Sequence, residues 1–170
     1  MGSGKTTVGN LLAQRLGWRF IDTDAVIEQR LHDTCRHIIE QQGIEYFRHL
    51  ERELLYDLSG KNIDNMVIAT GGGMPCNDDS IKLVKQTGRV IYLKWSAEHL
   101  ATRLLLTNLE NRPLLSRMTP QQLASHISED LKQREIYYSQ ADITVQAPVD
   151  SDTCSADDDR KIADKIITLI

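Results

Sequence analysis

The sequence predicts an α/β domain built on a parallel sheet. Short apolar runs alternate with helical patterns along the chain, and the runs are apolar enough to be covered on both faces. Polar clusters gather where strands end, the edge of an open α/β sheet at which ligands sit. Asp22 and Asp24 follow an apolar run at 18–21, and Gly71, Gly72 and Gly73 follow one at 66–69. The third cluster, Met1-Gly2-Ser3-Gly4-Lys5-Thr6-Thr7, stands directly before a helical pattern.

That first stretch has the chemistry of a phosphate-binding loop. Glycines let the backbone fold so that successive N–H groups face phosphate oxygens, and the helix opening at Lys5 adds the positive end of its dipole. In such a loop the lysine reaches the β- and γ-phosphates and the Thr6 hydroxyl meets a magnesium ion. Val8, Leu11, Leu12 and Leu16 follow at helical spacing, closed by Gly17. The full pattern G-x-x-x-x-G-K-[ST] has its first glycine two positions ahead of Met1, after a buried strand, so a strand ahead of Met1 is expected.

The remaining elements follow in order. The run 18–21 is a short strand, and helical patterns cover about 25–31, 34–42 and 44–58, broken at Gly43 and ended by Ser59-Gly60. Met66-Val67-Ile68-Ala69 is a buried strand. A helix over 78–86 has Asn77 as its cap and Gly88 as its terminator, ahead of a strand at 90–93. Ser96 caps a helix reaching Leu106, and a polar loop over 108–117 carries Asn111-Arg112-Pro113. Thr119-Pro120-Gln121-Gln122 combines a cap, a first-turn proline and a glutamine three residues on, starting a helix that runs through Arg134 and Tyr138. A strand at 143–145, an Asp-rich connection over 147–155 and a final helix over about 156–169 complete the chain.

At 170 residues and 41% hydrophobic content, the chain suits one domain with a real core, residues 1–170. A net charge of −4 argues against a nucleic-acid or anionic-membrane partner. Cys35, Cys76 and Cys154 lie far apart without metal-binding spacing and read as isolated thiols in a reducing compartment. No apolar run has the length of a membrane span and no targeting segment is evident, so a cytoplasmic protein is expected.

Each cluster has two readings. Asp22 and Asp24 can serve as a helix cap and a turn residue, or can face one site, one supporting magnesium through water and the other taking a proton from a hydroxyl. Three successive glycines are a loose loop or a close backbone approach to a ligand. Arg48 among Glu45, Glu51, Arg52 and Glu53, and Arg134 beside Glu135, read in isolation as solvated ion-pairing residues.

The order of the clusters decides between these readings. G-S-G-K-T-T, D-T-D, F-R-x-x-E (Phe47, Arg48, Glu51), T-G-G-G, N-R-P-L-L and R-x-x-Y together resemble the shikimate kinase family, from Met1 to about Val145. The resemblance implies a P-loop three-layer α/β/α fold with a five-stranded parallel sheet, a lid at about 108–118 and a substrate-binding helical segment at about 24–58. It implies transfer of the ATP γ-phosphoryl to the 3-hydroxyl of shikimate, with Mg2+, in aromatic amino-acid biosynthesis, by a monomer. Matching positions then carry the roles: Gly2, Ser3, Gly4, Lys5, Thr6 and Thr7 hold nucleotide phosphates, with Thr6 and Asp22 on the magnesium side. Asp24 is the candidate base and holds shikimate hydroxyls. Arg48 and Arg134 grip its carboxylate, the backbone of Gly71, Gly72 and Gly73 lines the same pocket, and Arg112 reaches the phosphates from the lid. Many members carry a second lid arginine against adenine. Here Leu105, Leu106, Thr107 and Asn108 occupy that region, so the base contact is left unassigned. A related small-molecule kinase such as a gluconate kinase, and a nucleotide-binding module without catalysis, are the alternative readings.

Overall fold

The computed structural model describes residues 2–60, 64–106, 118–146 and 156–170. The phosphate-type loop feeds helix α1 (Lys5–Leu16), which Gly17 closes in a left-handed conformation, φ 68°, where a side chain would be strained. Strand β1 (Arg19–Asp22) leads directly into α2 (Thr23–Leu31), followed by α3 (Cys35–Gln42) and α4 (Ile44–Ser59). Then come β2 (Met66–Ala69), α5 (Asp78–Thr87), β3 (Ile91–Lys94), α6 (Ala97–Leu106), α7 (Pro120–Tyr138), β4 (Ile143–Gln146) and α8 (Ala156–Ile167).

The caps explain why several helices begin where they do. Asn77 accepts from the Ser80 N–H at the start of α5. At α7 both halves of a capping box form: Thr119 Oγ1 accepts from the Gln122 N–H, and Gln122 Oε1 accepts from the Thr119 N–H. Asp22 caps α2 by accepting from the N–H groups of Asp24 and Ala25.

The strands are parallel, as expected, and form two pairs: β1 with β2, register Ile21 to Ile68, and β3 with β4, register Leu93 to Val145. Two apolar cores serve the two halves. Val8 and Leu12 of α1 pack with Leu100 and Leu104 of α6, Leu123 of α7 and Ile166 of α8, whereas Ile27, Ile38, Phe47 and Leu54 knit α2, α3 and α4 together.

Between the halves runs a groove of about 760 Å3, walled by Met66–Thr70 on one side and Val90, Ile91 and Leu93 on the other. Val8, Leu12 and Ile166 line it too, so most of the groove's lining is apolar, with Asn65, Thr87 and Arg89 among its polar members. Lys5 stands among its lining residues, which puts the phosphate-type loop at the groove's end. Among the described residues no helix is long and apolar enough to cross a membrane. The expected lid, with Arg112, and the 147–155 connection lie outside the described residues.

Candidate active site

Loop and strand ends meet as the sequence leads one to expect. Gly2 and Gly4 have φ 70° and 79°, the left-handed conformation that folds the loop back on itself. Lys5 opens α1, its Nζ 3.2 Å from Ser3 Oγ, and Thr7 is exposed in the first turn. The Thr6 hydroxyl donates to Asp22 Oδ2 at 2.7 Å, so the end of β1 is tied to the loop. Asp22 uses its two carboxylate oxygens differently, one capping α2 and the other meeting Thr6. Among the described residues there is no cluster of three or more His, Cys, Asp or Glu suited to a metal ion. Magnesium does not require one, because it keeps several waters and binds through one or two protein oxygens and substrate phosphates. The Thr6–Asp22 pair is a donor set of that kind.

The glycine run is the second half of the site. Gly71 N–H donates to Thr23 Oγ1 at 3.0 Å, and Thr23 is fully buried, so the middle residue of D-T-D anchors the turn. The turn closes on itself through Met74 N–H to the Gly71 carbonyl and Cys76 N–H to that of Gly73, each at 3.1 Å. A methyl group on Gly71 would stand 2.6 Å from Asp24 Oδ1 and 2.9 Å from Glu51 Oε1. A methyl group on Gly73 would overlap the Arg48 guanidinium. No side chain other than hydrogen fits at either position without moving these groups.

Glu51 is the residue that sequence reasoning did not assign. It is 1% exposed, and it pairs through Oε2 with Arg48 one helical turn back. The signal was present in F-R-x-x-E, an i, i+3 pair, but the surrounding charges made α4 look solvated on that face. Asp24 Oδ1 and Glu51 Oε1 are buried and have no hydrogen-bond partner among the described residues. Burial, then the neighbouring Asp22 carboxylate, pushes Asp24 above the ordinary carboxylate range, with Lys5 and Arg48 opposing. Burial likewise raises Glu51 against the pull of Arg48.

Arg134, on α7, pairs with Asp130 at 2.9 Å and borders a cavity of about 110 Å3 together with Lys5, Gly71, Gly72 and Tyr138. Tyr138 Oη donates to the Gly72 carbonyl at 2.5 Å. Burial pushes that phenol up to about 12, so it stays protonated and keeps its bond. Both arginines act on the Cys76 thiol in the same turn, Arg134 more strongly than Arg48, although burial outweighs them and raises it. Arg48 and Arg134 thus flank one glycine turn from α4 and α7. Burial, then the nearby Asp24 and Glu28 carboxylates, lifts the Cys35 thiol to about 12, which disfavours its thiolate.

Known proteins of similar sequence and structure give the family. The family model described as shikimate kinase matches residues 1–170. The chain belongs to the shikimate kinase family. It is 40% identical over 147 residues to a shikimate kinase of Parabacteroides distasonis, covering 86% of this chain and 83% of that protein. A Chlorobium limicola shikimate kinase is 39% identical over 153 residues, covering 87% and 75%. Among solved structures, shikimate kinase from Bacteroides thetaiotaomicron superposes with TM-score 0.87 at 31% identity, covering 99% of this chain and 93% of that one. Shikimate kinase from Acinetobacter baumannii in complex with shikimate gives 0.80 at 35%, covering 99% and 87%. As a shikimate kinase, the chain is an ATP-dependent phosphotransferase.

The raised Asp24 has a consequence for stability. A carboxyl whose folded-state pKa lies above its unfolded value of 3.8 stabilises the fold below that value, and the contribution is lost as pH rises through the folded pKa. Asp24→Asn removes the charge at nearly unchanged side-chain size. Its melting temperature relative to the parent should therefore rise as pH climbs above the unfolded value of 3.8 and level off once the parent carboxyl is ionised, while turnover disappears. A pH-independent difference in thermal melts would show that Asp24 is not held against its charge.

Proposed function

We propose that this chain phosphorylates the 3-hydroxyl of shikimate with ATP, giving shikimate 3-phosphate and ADP, through the residues gathered around the loop and the glycine turn. The observation carrying this reading is the convergence of Asp24, Arg48 and Glu51 on Gly71 and Gly73, with Arg134 and Lys5 bordering one adjacent cavity. Two guanidiniums beside one turn suit a carboxylate, because each offers a planar pair of N–H donors. The carboxylate of Asp24 suits a hydroxyl. Shikimate carries both groups, and the Acinetobacter baumannii relative was solved in complex with it.

In this reading the loop N–H groups of Gly2 to Thr7 and the Lys5 ammonium hold the β- and γ-phosphates. Thr6, steadied by Asp22, ligates Mg2+, which when bound neutralises phosphate charge. Arg48 and Arg134 fix the shikimate carboxylate, and Glu51 holds the Arg48 fork in place. The backbone of Gly71, Gly72 and Gly73 lets the ring lie close. Asp24 accepts the proton of the 3-hydroxyl as that oxygen bonds to the γ-phosphorus and the bond from phosphorus to the ADP oxygen breaks. A carboxylate raised above its ordinary range is the stronger base for this step. Arg112 is proposed to add positive charge from a lid over about 108–118, whose closure keeps water from the phosphoryl group.

We also infer that the groove between β2 and β3 seats a fifth parallel strand, making one five-stranded sheet. Among the described residues both facing strands pair on one side only, most of the wall is apolar, and a strand seated between two edges would lie at the usual spacing of about 4.8 Å from each neighbour. Supplying the groove with an apolar segment of roughly one average strand, about four to six residues, should raise both the melting temperature and ATP affinity. Unchanged values with the segment bound would contradict this seat.

The substrate assignment is tested by Arg48→Lys, Arg134→Lys and the double variant. Each single change keeps charge but loses the fork, so shikimate binding should weaken by roughly 1.5–3 kcal/mol, with ATP affinity nearly constant. The double effect should differ from the sum, because both groups hold one carboxylate. Steady-state kinetics with shikimate varied at saturating ATP provide the measurement. Parental KM and kcat in both single variants would overturn the assignment.

A further inference from the structure

The outer side of the phosphate-type loop is clasped by side chains that have no role in the chemistry above. Trp95, the first residue after β3, is 5% exposed, and its indole Nε1–H donates to the Ser3 carbonyl at 3.1 Å. The Arg103 guanidinium, on α6, lies over that indole with its central carbon 4.6 Å from the ring centroid. Its Nη2 reaches both carboxylate oxygens of Asp159 on α8, at 2.9 and 3.0 Å. The pair is 13% and 6% exposed, too dry to be an ordinary surface ion pair.

This stack touches the loop directly. A methyl group on Gly4 would stand 2.7 Å from Asp159 Oδ1 and 2.9 Å from Arg103 Nη2, and one on Gly2 would meet Leu104 Cγ at 3.0 Å. A trans peptide is planar, so the Ser3 carbonyl and the Gly4 N–H point in opposite directions. Fixing the carbonyl on Trp95 turns the Gly4 N–H away from the indole. If that peptide flipped, a carbonyl oxygen would replace an N–H donor at the phosphates.

We propose that Trp95, backed by the Arg103–Asp159 pair, is a positioning residue that holds the Ser3–Gly4 peptide with its N–H toward the nucleotide phosphates. This rests on the reading of that loop as the ATP site. It makes the indole N–H, not only the bulk of the ring, important for nucleotide binding, and it joins α6 and α8 to loop occupancy. A tryptophan that merely filled the core would be replaceable by another large aromatic.

Trp95→Phe keeps an aromatic ring against Arg103 and removes the donor. Its KM for ATP should rise roughly 2- to 12-fold, the range of one net hydrogen bond, at unchanged KM for shikimate. A second measurement does not depend on that variant folding. Trp18→Phe, far from the loop in a partly exposed position, leaves Trp95 as the sole tryptophan. Its emission should shift on titration with ADP, at the concentrations that inhibit turnover. Parental KM for ATP in Trp95→Phe overturns the proposal, as does an equal rise in both KM values, or an emission that ADP leaves unchanged while ADP still inhibits. Failure of the parent chain itself to bind ADP or use ATP would instead overturn the reading of the loop, so the two failures are separable.

Discussion

Two carboxylates and a guanidinium converge on three successive glycines, which have no side chains of their own. Asp24 and Glu51 meet at Gly71, and Arg48 lies against Gly73, closer than any Cβ would permit. Buried charges are costly unless paired, and here the pairing is incomplete: Asp24 Oδ1 and Glu51 Oε1 have no partner among the described residues. The fold accepts that cost at the edge of its strands. Around this point α2 is capped by Asp22, the glycine turn hangs from Thr23, and α4 presents Arg48 and Glu51 on one face.

The phosphate side of the site obeys a different constraint. Its loop is shaped by two left-handed glycines and tied at both flanks, through Thr6 to Asp22 at the end of β1 and through Ser3 to Trp95 just after β3. The loop therefore spans the carboxyl ends of both strand pairs, while the groove between those pairs runs up to Lys5. Loop geometry and sheet geometry cannot be altered independently. In a kinase, where rate comes largely from alignment of phosphate and acceptor, that linkage is what the surrounding architecture supplies.

Local signals made much of this legible in the sequence. Asn77, the Thr119–Gln122 box and Gly17 mark helix ends because each acts on backbone groups within four residues, and the structure has all of them. The strand at 66–69 and the one expected at 143–145, which extends one residue further to Gln146, follow from short runs of strand-forming residues. Asp22 was ambiguous in the sequence because its two oxygens do different things, one capping α2 and the other holding the Thr6 hydroxyl. What could not be read was long-range. Glu51 sits among charges that mimic a solvated helix face, and only its proximity to Gly71 reveals its burial. Arg103 and Asp159 are separated by 56 residues, and Tyr138 and Gly72 by 66, distances over which no periodicity speaks. The strand pairing also escapes the pattern, since a hydrophobic run does not name its neighbour.

The central physical claim is that the glycine turn is bare in order to let Arg48 lie where a substrate carboxylate is bound. Gly73→Ala tests it with a single methyl group, at a position whose backbone does not require glycine, since Gly73 is not among the residues with positive φ. Calorimetric titration of shikimate and, separately, of ATP into that variant is the direct measurement. Displacing one charge-assisted contact predicts that shikimate affinity falls roughly 10- to 100-fold while ATP affinity changes by less than about twofold. Parental shikimate affinity in Gly73→Ala, or an equal loss for both ligands, would contradict it.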